Sequence, residues 1–218
     1  MAKRFDLLVF DWDGTLMDSA AAIADALQAA CRDLSIEPPS EKRARYIIGL
    51  GFQDALREAL PELDPGRYRE VAERYRHHFF SQDHKLVMFD GVIDLVRMLS
   101  EAGFLLAVAT GKSRSGLDRA MAGSGLLPYF LASRCADECH SKPHPQMLLE
   151  LMEEFAMEPE DTLMIGDTTH DLLMARNAEV PALAVAYGAH PRAALEAESP
   201  LWCAANVAEM RAWLIANA

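Results

Sequence analysis

Short apolar runs alternate with helical patterns through the second half of the chain, and this alternation limits the fold more than any other feature. The runs that follow Val87 fall at 104–110, 129–134, 162–165 and 181–186. Because most of their residues are apolar, they are typical of strands that are covered on both faces. Helical segments between such strands favour a parallel sheet. With an earlier apolar strand at 6–10, the pattern predicts an α/β fold with a doubly wound parallel sheet.

The helices of this part of the chain are predicted from capping residues and from helical periodicity. They span 90–102, with Asp90 as the cap, and then 113–123, 145–157, 170–178 and 207–216. Most of them lie between two apolar runs, where a parallel sheet needs its crossover connections.

Residues 19–82 have a different texture, because they contain no convincing strand pattern. Helical periodicity and capping residues predict four helices in this block, which begin at Ser19, Ser40, Phe52 and Pro65. We therefore expect a helical cap domain, inserted into the sheet domain after its first strand.

The predicted boundaries divide the chain into an α/β core, residues 1–16 and 85–218, and a helical cap, residues 17–84. The chain crosses between these units near Gly14 and again at 83–89, and both crossings are expected to act as hinges. Helical inserts over the carboxyl ends of strands commonly act as lids, so the cap is the expected source of substrate selection.

Composition and charge argue against several classes of protein. The chain has 218 residues, of which 51% are hydrophobic, and a formal net charge of −12. The negative charge argues against nucleic-acid binding, which needs basic patches, and no apolar run is long enough to span a membrane. No signal peptide is recognisable, so a cytoplasmic location is expected. The four cysteines lack the spacing of a disulfide framework and are expected to be free thiols. The oligomeric state is left open.

Two carboxylates follow the first apolar strand, one residue apart. Because side chains alternate along a strand, Asp11 and Asp13 are predicted to point the same way, with Trp12 directed into the core. Two acids at the end of a buried strand repel each other unless a cation lies nearby. The pattern indicates a divalent metal site, a carboxylate nucleophile with an acid/base partner, or both.

Polar residues also follow the other apolar runs, and the carboxyl ends of parallel strands share one edge of a sheet. One run ends in Thr110-Gly111-Lys112, and the run at 162–165 ends in Gly166-Asp167, with Asp171 four residues further on. Ser141-Lys142-Pro143 precedes a predicted helix. Carboxylates suit Mg²⁺, whereas a lysine, a hydroxyl and backbone amides suit an anion. Together these groups indicate phosphoryl transfer.

In this order the motifs resemble those of the haloacid dehalogenase-like (HAD) superfamily of phosphohydrolases. The first four family motifs are matched by Asp11-Trp12-Asp13-Gly14-Thr15-Leu16, by Thr110-Gly111, by Lys142, and by Gly166-Asp167 with Asp171. The helical insert resembles the C1-type cap of subfamily IA. Ser141-Lys142-Pro143 and Gly166-Asp167-Thr168 are typical of the phosphoglycolate phosphatases in that family. The resemblance implies a Rossmann-like core with a helical cap.

The resemblance also implies catalytic roles. Asp11 is expected to be the nucleophile, and Asp13 is expected to protonate the leaving group and then to activate water. Thr110 and the amide of Gly111 are expected to bind the phosphate, and Lys142 is expected to neutralise the charge of the phosphate and of Asp11.

Mg²⁺ is the cofactor that the resemblance implies. Its expected ligands are the side chains of Asp11 and Asp167 and the backbone carbonyl of Asp13. Asp171 is expected to orient metal-bound water, and the alternative is that it only complements a helix dipole.

Two residues near these motifs are ambiguous. Lys112 also follows a strand, but a position at the surface or behind the site is favoured over a role as the phosphate lysine. His170, beside Asp171, is expected to be a surface histidine in the first turn of a helix rather than an acid or a base.

Substrate contacts are expected from the loop at 47–52, which joins two helices of the cap. Gly49, Leu50 and Gly51 would let its backbone approach a ligand, although a plain helix–helix turn would also explain the glycines. The basic residues before the loop are Lys42, Arg43 and Arg45. They could bind a substrate carboxylate, but a solvated face is favoured.

The sequence therefore predicts an Mg²⁺-dependent phosphatase that hydrolyses a small phosphorylated metabolite through an aspartyl-phosphate, with phosphoglycolate as the leading candidate. The alternatives are a phosphomutase of the β-phosphoglucomutase type and a catalytically silent protein that binds a partner through its cap. Asp13 argues against a 2-haloacid dehalogenase, which normally lacks the second aspartate. Lys42 sits in no context that matches the cap lysine of phosphonate hydrolases.

Overall fold

The computed structural model describes residues 3–82 and 86–218. Its strands, in chain order, are β1 (Leu7–Phe10), β2 (Met17–Asp18), β3 (Val87–Met88), β4 (Leu105–Thr110), β5 (Ala132–Cys135), β6 (Thr162–Gly166), β7 (Ala182–Val185) and β8 (Trp202–Ala204). Six of them form one sheet in the order β5-β4-β1-β6-β7-β8, and each neighbouring pair is parallel. The direction of winding reverses between β1 and β6, which is where sheets of this kind bind ligands.

Helices cover both faces of this sheet. The described helices are α1 (Ala20–Asp33), α2 (Glu41–Tyr46), α3 (Phe52–Ala59), α4 (Tyr68–Ser81), α5 (Val92–Glu101), α6 (Arg114–Ser124), α7 (Gln146–Phe155), α8 (Thr169–Asn177), α9 (Arg192–Ala197) and α10 (Val207–Asn217). On β1, Leu8 and Phe10 pack in a cluster with α5, α6 and α10. Leu7 and Val9 face the opposite way and pack with α7 and α8. The predicted doubly wound α/β fold is confirmed.

Helices α1 to α4 have an apolar cluster of their own. Leu27, Leu56 and Val71 are buried in it, and α1 and α4 form its main helix pair. The helices predicted in this block are confirmed, and the division into cap and core stays our interpretation. Its second boundary, between residues 84 and 85, lies outside the described residues, as does part of the hinge expected at 83–89.

Several local predictions were wrong in detail. The pair β2–β3 was not predicted, and its antiparallel ladder lies where the chain leaves and re-enters the sheet region. β8 was also missed, since a three-residue strand is too short to show an alternating pattern. The cap of α5 is Gly91, with φ 83°, and not Asp90. The strand expected at 129–134 begins later, because Leu127–Tyr129 forms a 3₁₀ turn.

Two simpler expectations concern thiols and membranes. Cys31, Cys135, Cys139 and Cys203 are free thiols, as predicted. In the part of the chain that the structure describes, the helices are too short or too polar to cross a bilayer. The helical block meets the sheet domain at the carboxyl edge of the sheet, where Gly49 and Leu50 approach Gly111.

Candidate active site

Asp11 directly follows β1, at the centre of the carboxyl edge of the sheet. Its side chain is buried, and its backbone amide donates to the carbonyl oxygen of Ile165, which extends the β1–β6 ladder to the site. Neither carboxylate oxygen accepts a well-aligned hydrogen bond from another described residue. The ammonium of Lys142 lies 2.9 Å from Oδ1 of Asp11, so a charge contact holds this acid while its lone pairs stay available.

Lys142 is the buried cation of the site. Its Nζ donates to Oδ1 of Asp171 at 2.6 Å, so the lysine joins two carboxylates. Burial alone would lower the pKa of Lys142, but the charges of Asp11 and Asp171 outweigh it and raise the pKa above its ordinary value. Burial raises the pKa of Asp11 to about 7, against the lowering effect of Lys142.

Asp171 is positioned by the start of α8. Its Oδ2 accepts hydrogen bonds from the backbone amide and the hydroxyl of Thr168, at 3.0 and 2.7 Å. The hydroxyl of Thr168 caps the helix in return, which makes a capping box. Since both oxygens of Asp171 are engaged, the geometry favours a role in holding Lys142 and in capping α8 over the expected role in orienting metal-bound water.

Asp167 follows β6 and faces Asp11. Its Oδ1 accepts from the hydroxyl of Thr15 at 2.9 Å, and its Oδ2 accepts from the amide of Ala189 at 2.7 Å. Burial, reinforced by the charges of Asp11 and Asp171, holds the pKa of Asp167 well above its usual range. Gly14 has φ 80°, and a side chain there would collide with the carboxylate of Asp167. This close approach requires glycine.

The carboxylates fit a divalent metal. Among the described residues, Asp11, Asp167 and Asp171 can each offer one oxygen such that all three oxygens lie within 4.8 Å of one another. Buried carboxylates packed this closely need a cation to ionise together, and carboxylate oxygens are the ligands that Mg²⁺ prefers. Asp171 already pairs with Lys142 and caps α8. The donors to Asp167 are neutral, and the oxygens of Asp11 accept no well-aligned hydrogen bond from the described residues, so Asp11 and Asp167 are the better candidates to hold an ion.

Asp13 is held by two donors on one oxygen. The hydroxyl of Ser19 donates to Oδ1 at 2.6 Å, and Nζ of Lys112 lies 3.0 Å from the same atom. Ser19 occupies the N-cap position of α1, but its hydroxyl is used here and not for capping. Of the two positions considered for Lys112, at the surface or behind the site, the structure has the second, because its side chain is only 11% exposed and contacts Asp13.

The expected phosphate-binding residues lie beside Asp11 and Asp13. Thr110 is buried at the end of β4, and its hydroxyl accepts from the amide of Lys112 at 3.2 Å. The loop of the cap lies directly over Gly111. A Cβ atom at that position would come within 2.6 Å of the carbonyl oxygens of Gly49 and Leu50. Cap and core therefore approach each other through backbone at Gly111.

The three expected cap residues are placed differently. Gly49 and Leu50 line the cavity above Asp11, whereas Gly51 does not line it. The amide of Gly51 instead donates to the hydroxyl of Ser141 at 2.7 Å, beside Lys142. The loop is thus a cap–core contact as well as a helix–helix turn.

Two buried histidines connect the core to the cap. Nε2 of His170 and Nε2 of His190 lie 2.8 and 2.9 Å from the carbonyl oxygen of Tyr46, at the end of α2. The Tyr46 ring stacks on His190 with centroids 5.2 Å apart. Burial lowers the pKa of both histidines, which fits neutral rings that donate to one carbonyl. The expectation of a surface position for His170 is wrong, because His170 is only 5% exposed.

A cavity of about 270 Å³ lies between cap and core and opens onto Asp11 and Asp13. Thr110, Gly111 and Lys112 line its core end. Lys42, Arg43 and Arg45, which were considered as substrate ligands, do not line it. Arg43 donates to the carbonyl oxygen of Glu58 at 2.8 Å, and Arg45 pairs with Glu41.

Sequence reasoning missed Ser19, Thr15 and His190 as parts of the site. Thr15 and Ser19 are close in sequence to the paired aspartates, so polar residues next to that motif were a usable signal. His190 follows β7, and the rule that ligand-binding residues follow strands would have pointed to it if it had been applied to that strand. The contact of His170 with the cap had no signal in sequence.

Known proteins resemble this chain in sequence and in fold. A family model described as haloacid dehalogenase-like hydrolase matches residues 8–185. A protein of Dickeya dadantii named "probable phosphatase IndB" is 37% identical over 200 residues, which cover 89% of this chain and 86% of the relative. A phosphoglycolate phosphatase of Agrobacterium fabrum is 32% identical over 192 residues, 84% of this chain and 81% of the relative. A hydrolase structure from Pseudomonas syringae superposes with a TM-score of 0.88 at 20% identity, covering 96% of this chain and 97% of that one, and supports the fold.

Proposed function

The chain belongs to the haloacid dehalogenase-like hydrolases and is a phosphatase of that family, and we propose that it hydrolyses a small phosphorylated metabolite through a phosphorylated Asp11. The environment of Asp11 carries this proposal. The carboxylate is buried beside Lys142, and neither of its oxygens accepts a well-aligned hydrogen bond within the described part of the chain. A buried polar group without partners is costly, and a nucleophile needs such a free lone pair.

The reaction has two steps. In the first, an oxygen of Asp11 attacks phosphorus, the bond from phosphorus to the ester oxygen breaks, and Asp13 gives its proton to that oxygen. In the second, Asp13 takes a proton from water, whose oxygen attacks phosphorus and releases inorganic phosphate and Asp11. Because Ser19 and Lys112 both bind Oδ1 of Asp13, Oδ2 is the oxygen that carries the proton.

The phosphoryl group gathers negative charge as it is transferred, and the site offers positive groups to meet it. Lys142 lies beside Asp11 and keeps its charge throughout. The hydroxyl of Thr110 and the amide of Gly111 are the donors proposed for the phosphoryl oxygens, since both residues line the cavity next to Asp11.

Mg²⁺ is the proposed cofactor, held by the side chains of Asp11 and Asp167 and by the backbone carbonyl of Asp13. When bound, the ion would offset the charge of the carboxylates and polarise the phosphoryl oxygens. The buried acidic cluster supports this assignment. The cap is proposed to exclude bulk water when it lies on the core and to release product when it lifts.

A phosphate-release assay over a panel of phosphorylated metabolites, with Mg²⁺ and with EDTA, tests the proposal. Phosphoglycolate belongs in the panel because the Agrobacterium fabrum relative carries that name. We expect release with Mg²⁺, loss of release with EDTA, and no turnover by Asp11→Asn. Asp25→Asn, at an exposed position of α1, is the matched control and should retain full activity.

Two results would contradict the proposal. One is phosphate release by Asp11→Asn at a substantial fraction of the normal rate, once deamidation to aspartate has been excluded by mass spectrometry. The other is interconversion of sugar phosphates without release of phosphate, which would identify a phosphomutase.

A further inference from the structure

The cavity above Asp11 changes character along its length. Its core end is polar, with the carboxylates and Lys112. Its cap end is walled by Ile23, Leu27, Ile47, Leu56, Tyr75 and Phe79. Of these, Leu27 and Leu56 are almost completely buried. A volume of about 270 Å³ is near the lower limit of small-molecule pockets, and it exceeds what a two-carbon group would fill.

We infer that the alcohol attached to the phosphate is bulky and largely apolar, of the size of an aromatic or branched alcohol, and is not glycolate. This inference rests on the proposed function, because it concerns the group that leaves from a phosphate bound at Asp11. It names the class of substrate that the cap selects.

The apolar wall stands where the leaving group must lie. The ester oxygen takes its proton from Asp13, so the alcohol begins next to that residue. Lys112, which is paired with Asp13, has its ammonium 5.0 Å from the centre of the Phe79 ring. Tyr75 lines the same cavity, and its ring stacks on Phe79 with centroids 5.7 Å apart. The first atoms of the alcohol therefore meet two aromatic rings of α4.

Among the residues that the structure describes, no unpaired cation is placed to receive a carboxylate at this point. Lys112 is already paired with Asp13. Arg76 is the one charged side chain that the described part of the cap contributes to the cavity lining, and it is exposed. Arg119 of the core is exposed too, and its guanidinium lies 4.3 Å from the centre of the Phe80 ring. Both arginines are therefore solvated in the free protein.

The carboxylate of glycolate stays close to the phosphate, whereas both arginines are exposed. Its carbon would lie roughly 4 Å from phosphorus, by ordinary bond lengths. There it would face Asp11 and Asp13, and like charges at short range oppose binding. An apolar alcohol has no such penalty, and it gains from leaving water against Leu27 and Leu56.

Steady-state kinetics on a series of primary phosphate esters test the inference. The series runs from methyl phosphate through ethyl, butyl and hexyl phosphate to benzyl phosphate, beside phosphoglycolate, all with Mg²⁺. We expect kcat/KM to rise about fourfold for each methylene that becomes buried. Benzyl phosphate should exceed phosphoglycolate by at least tenfold.

A cavity-filling variant locates the effect. Ile23→Trp narrows the apolar end and should lower kcat/KM for benzyl phosphate at least tenfold while methyl phosphate changes little. Activity on methyl phosphate also shows that the variant is folded. Ile93→Trp makes the same change on α5, at a residue that is 39% exposed and outside the cavity lining, and should affect neither ester.

The outcomes separate this inference from the proposed function. Preference for phosphoglycolate over the apolar esters, or a series with no dependence on size, overturns the inference and leaves the phosphatase intact. An equal loss for methyl and benzyl phosphate in Ile23→Trp, with Ile93→Trp unchanged, also overturns it. Failure to hydrolyse any ester of the series, while the metabolite panel still gives phosphate release, overturns the inference alone. Failure on both the series and the panel overturns the proposed function, and the inference with it.

Discussion

At the scale of residues, Lys142 and Lys112 contact different carboxylates, Asp11 and Asp13. Replacing each lysine should therefore lower kcat by a different amount. Lys142→Met removes the cation beside Asp11, so kcat should fall by about 10²- to 10³-fold. Lys112→Met removes one of the two donors to Asp13 and leaves Ser19 in place, so kcat should fall about tenfold with little change in KM. Lys42→Met, at an exposed cap position, is the control. A larger loss from Lys112→Met than from Lys142→Met would reverse the two roles.

Asp11 should also make the stability of the metal-free protein depend on pH. Burial raises its pKa from 3.8 to about 7, so the folded protein binds a proton that the unfolded chain releases near pH 4. The stability that proton binding at Asp11 contributes is fully present below about pH 4, and it is lost as the pH rises through about 7. The Asp11→Asn variant has no carboxyl group to titrate at this position. The difference between its free energy of unfolding and that of the unmodified protein should therefore shift in favour of the variant as the pH rises from about 4 to about 7.

The size and the test of that gain follow from the same shift. At about 1.36 kcal/mol per pKa unit, a shift from 3.8 to about 7 corresponds to at most about 4 kcal/mol. Urea unfolding in EDTA at several pH values measures the difference between the two proteins. A difference that is constant with pH would show that the acid is not destabilised by burial.

How far these residues could be predicted depends on their contacts. Asp11, Lys142 and Asp167 follow strands or precede a helix, so their meeting followed from the parallel sheet alone. The role of Asp171 could not be predicted in the same way. It depends on the buried ammonium of Lys142, which contacts both Asp11 and Asp171. His170 was misjudged for a related reason, since its partner is a backbone carbonyl of another part of the chain.

At the scale of elements, the cap loop and β4 meet at Gly111. An alanine there would bring its Cβ within 2.6 Å of two backbone oxygens, those of Gly49 and Leu50, so the loop would have to move off the phosphate-binding residues. Gly111→Ala should lower kcat/KM at least tenfold with a small change in melting temperature. Gly123→Ala is the matched control, because a Cβ at that position in α6 meets no atom of the described residues within 4 Å. Equal activity of the two variants would show that the loop contact is unimportant.

The two histidines give a second element-level prediction. His170 and His190 both bind the carbonyl oxygen of Tyr46, and a hydrogen bond contributes about 1 kcal/mol net. Changing both to alanine should weaken the cap–core contact and raise KM about tenfold, with a smaller effect on kcat. His77→Ala, at an exposed position of α4, should leave KM unchanged. An unchanged KM in the double variant would contradict a role in closing the cap.

Elements were predictable where their patterns were long. β4 and β6 are nearly all apolar and were found from composition. β2 and β3 have two residues each and are defined only by pairing with one another, which no local pattern can show. The register of cap against core was out of reach for the same reason, since it depends on contacts between distant segments.

At the scale of the whole molecule, the proposed chemistry and the proposed selection of substrate fall to different parts of the chain. The sheet brings the carboxylates and Lys142 to one edge, and the helical block supplies the apolar wall that faces them. The fold class followed from the alternation of strands and helices, but the apolar character of the cavity did not. Leu27, Leu56 and Phe79 are separated along the chain, and ordinary core positions of helices have the same pattern.

The proposed mechanism requires that Asp11 becomes phosphorylated during turnover. The most direct measurement is to quench the enzyme with acid during hydrolysis, to reduce with borohydride, and to sequence the peptides by mass spectrometry, because reduction of an aspartyl-phosphate leaves homoserine. We predict homoserine at position 11, formed only when substrate and Mg²⁺ are present and absent from Asp11→Asn. Homoserine at another aspartate, or none at position 11 while phosphate is being released, would contradict the account.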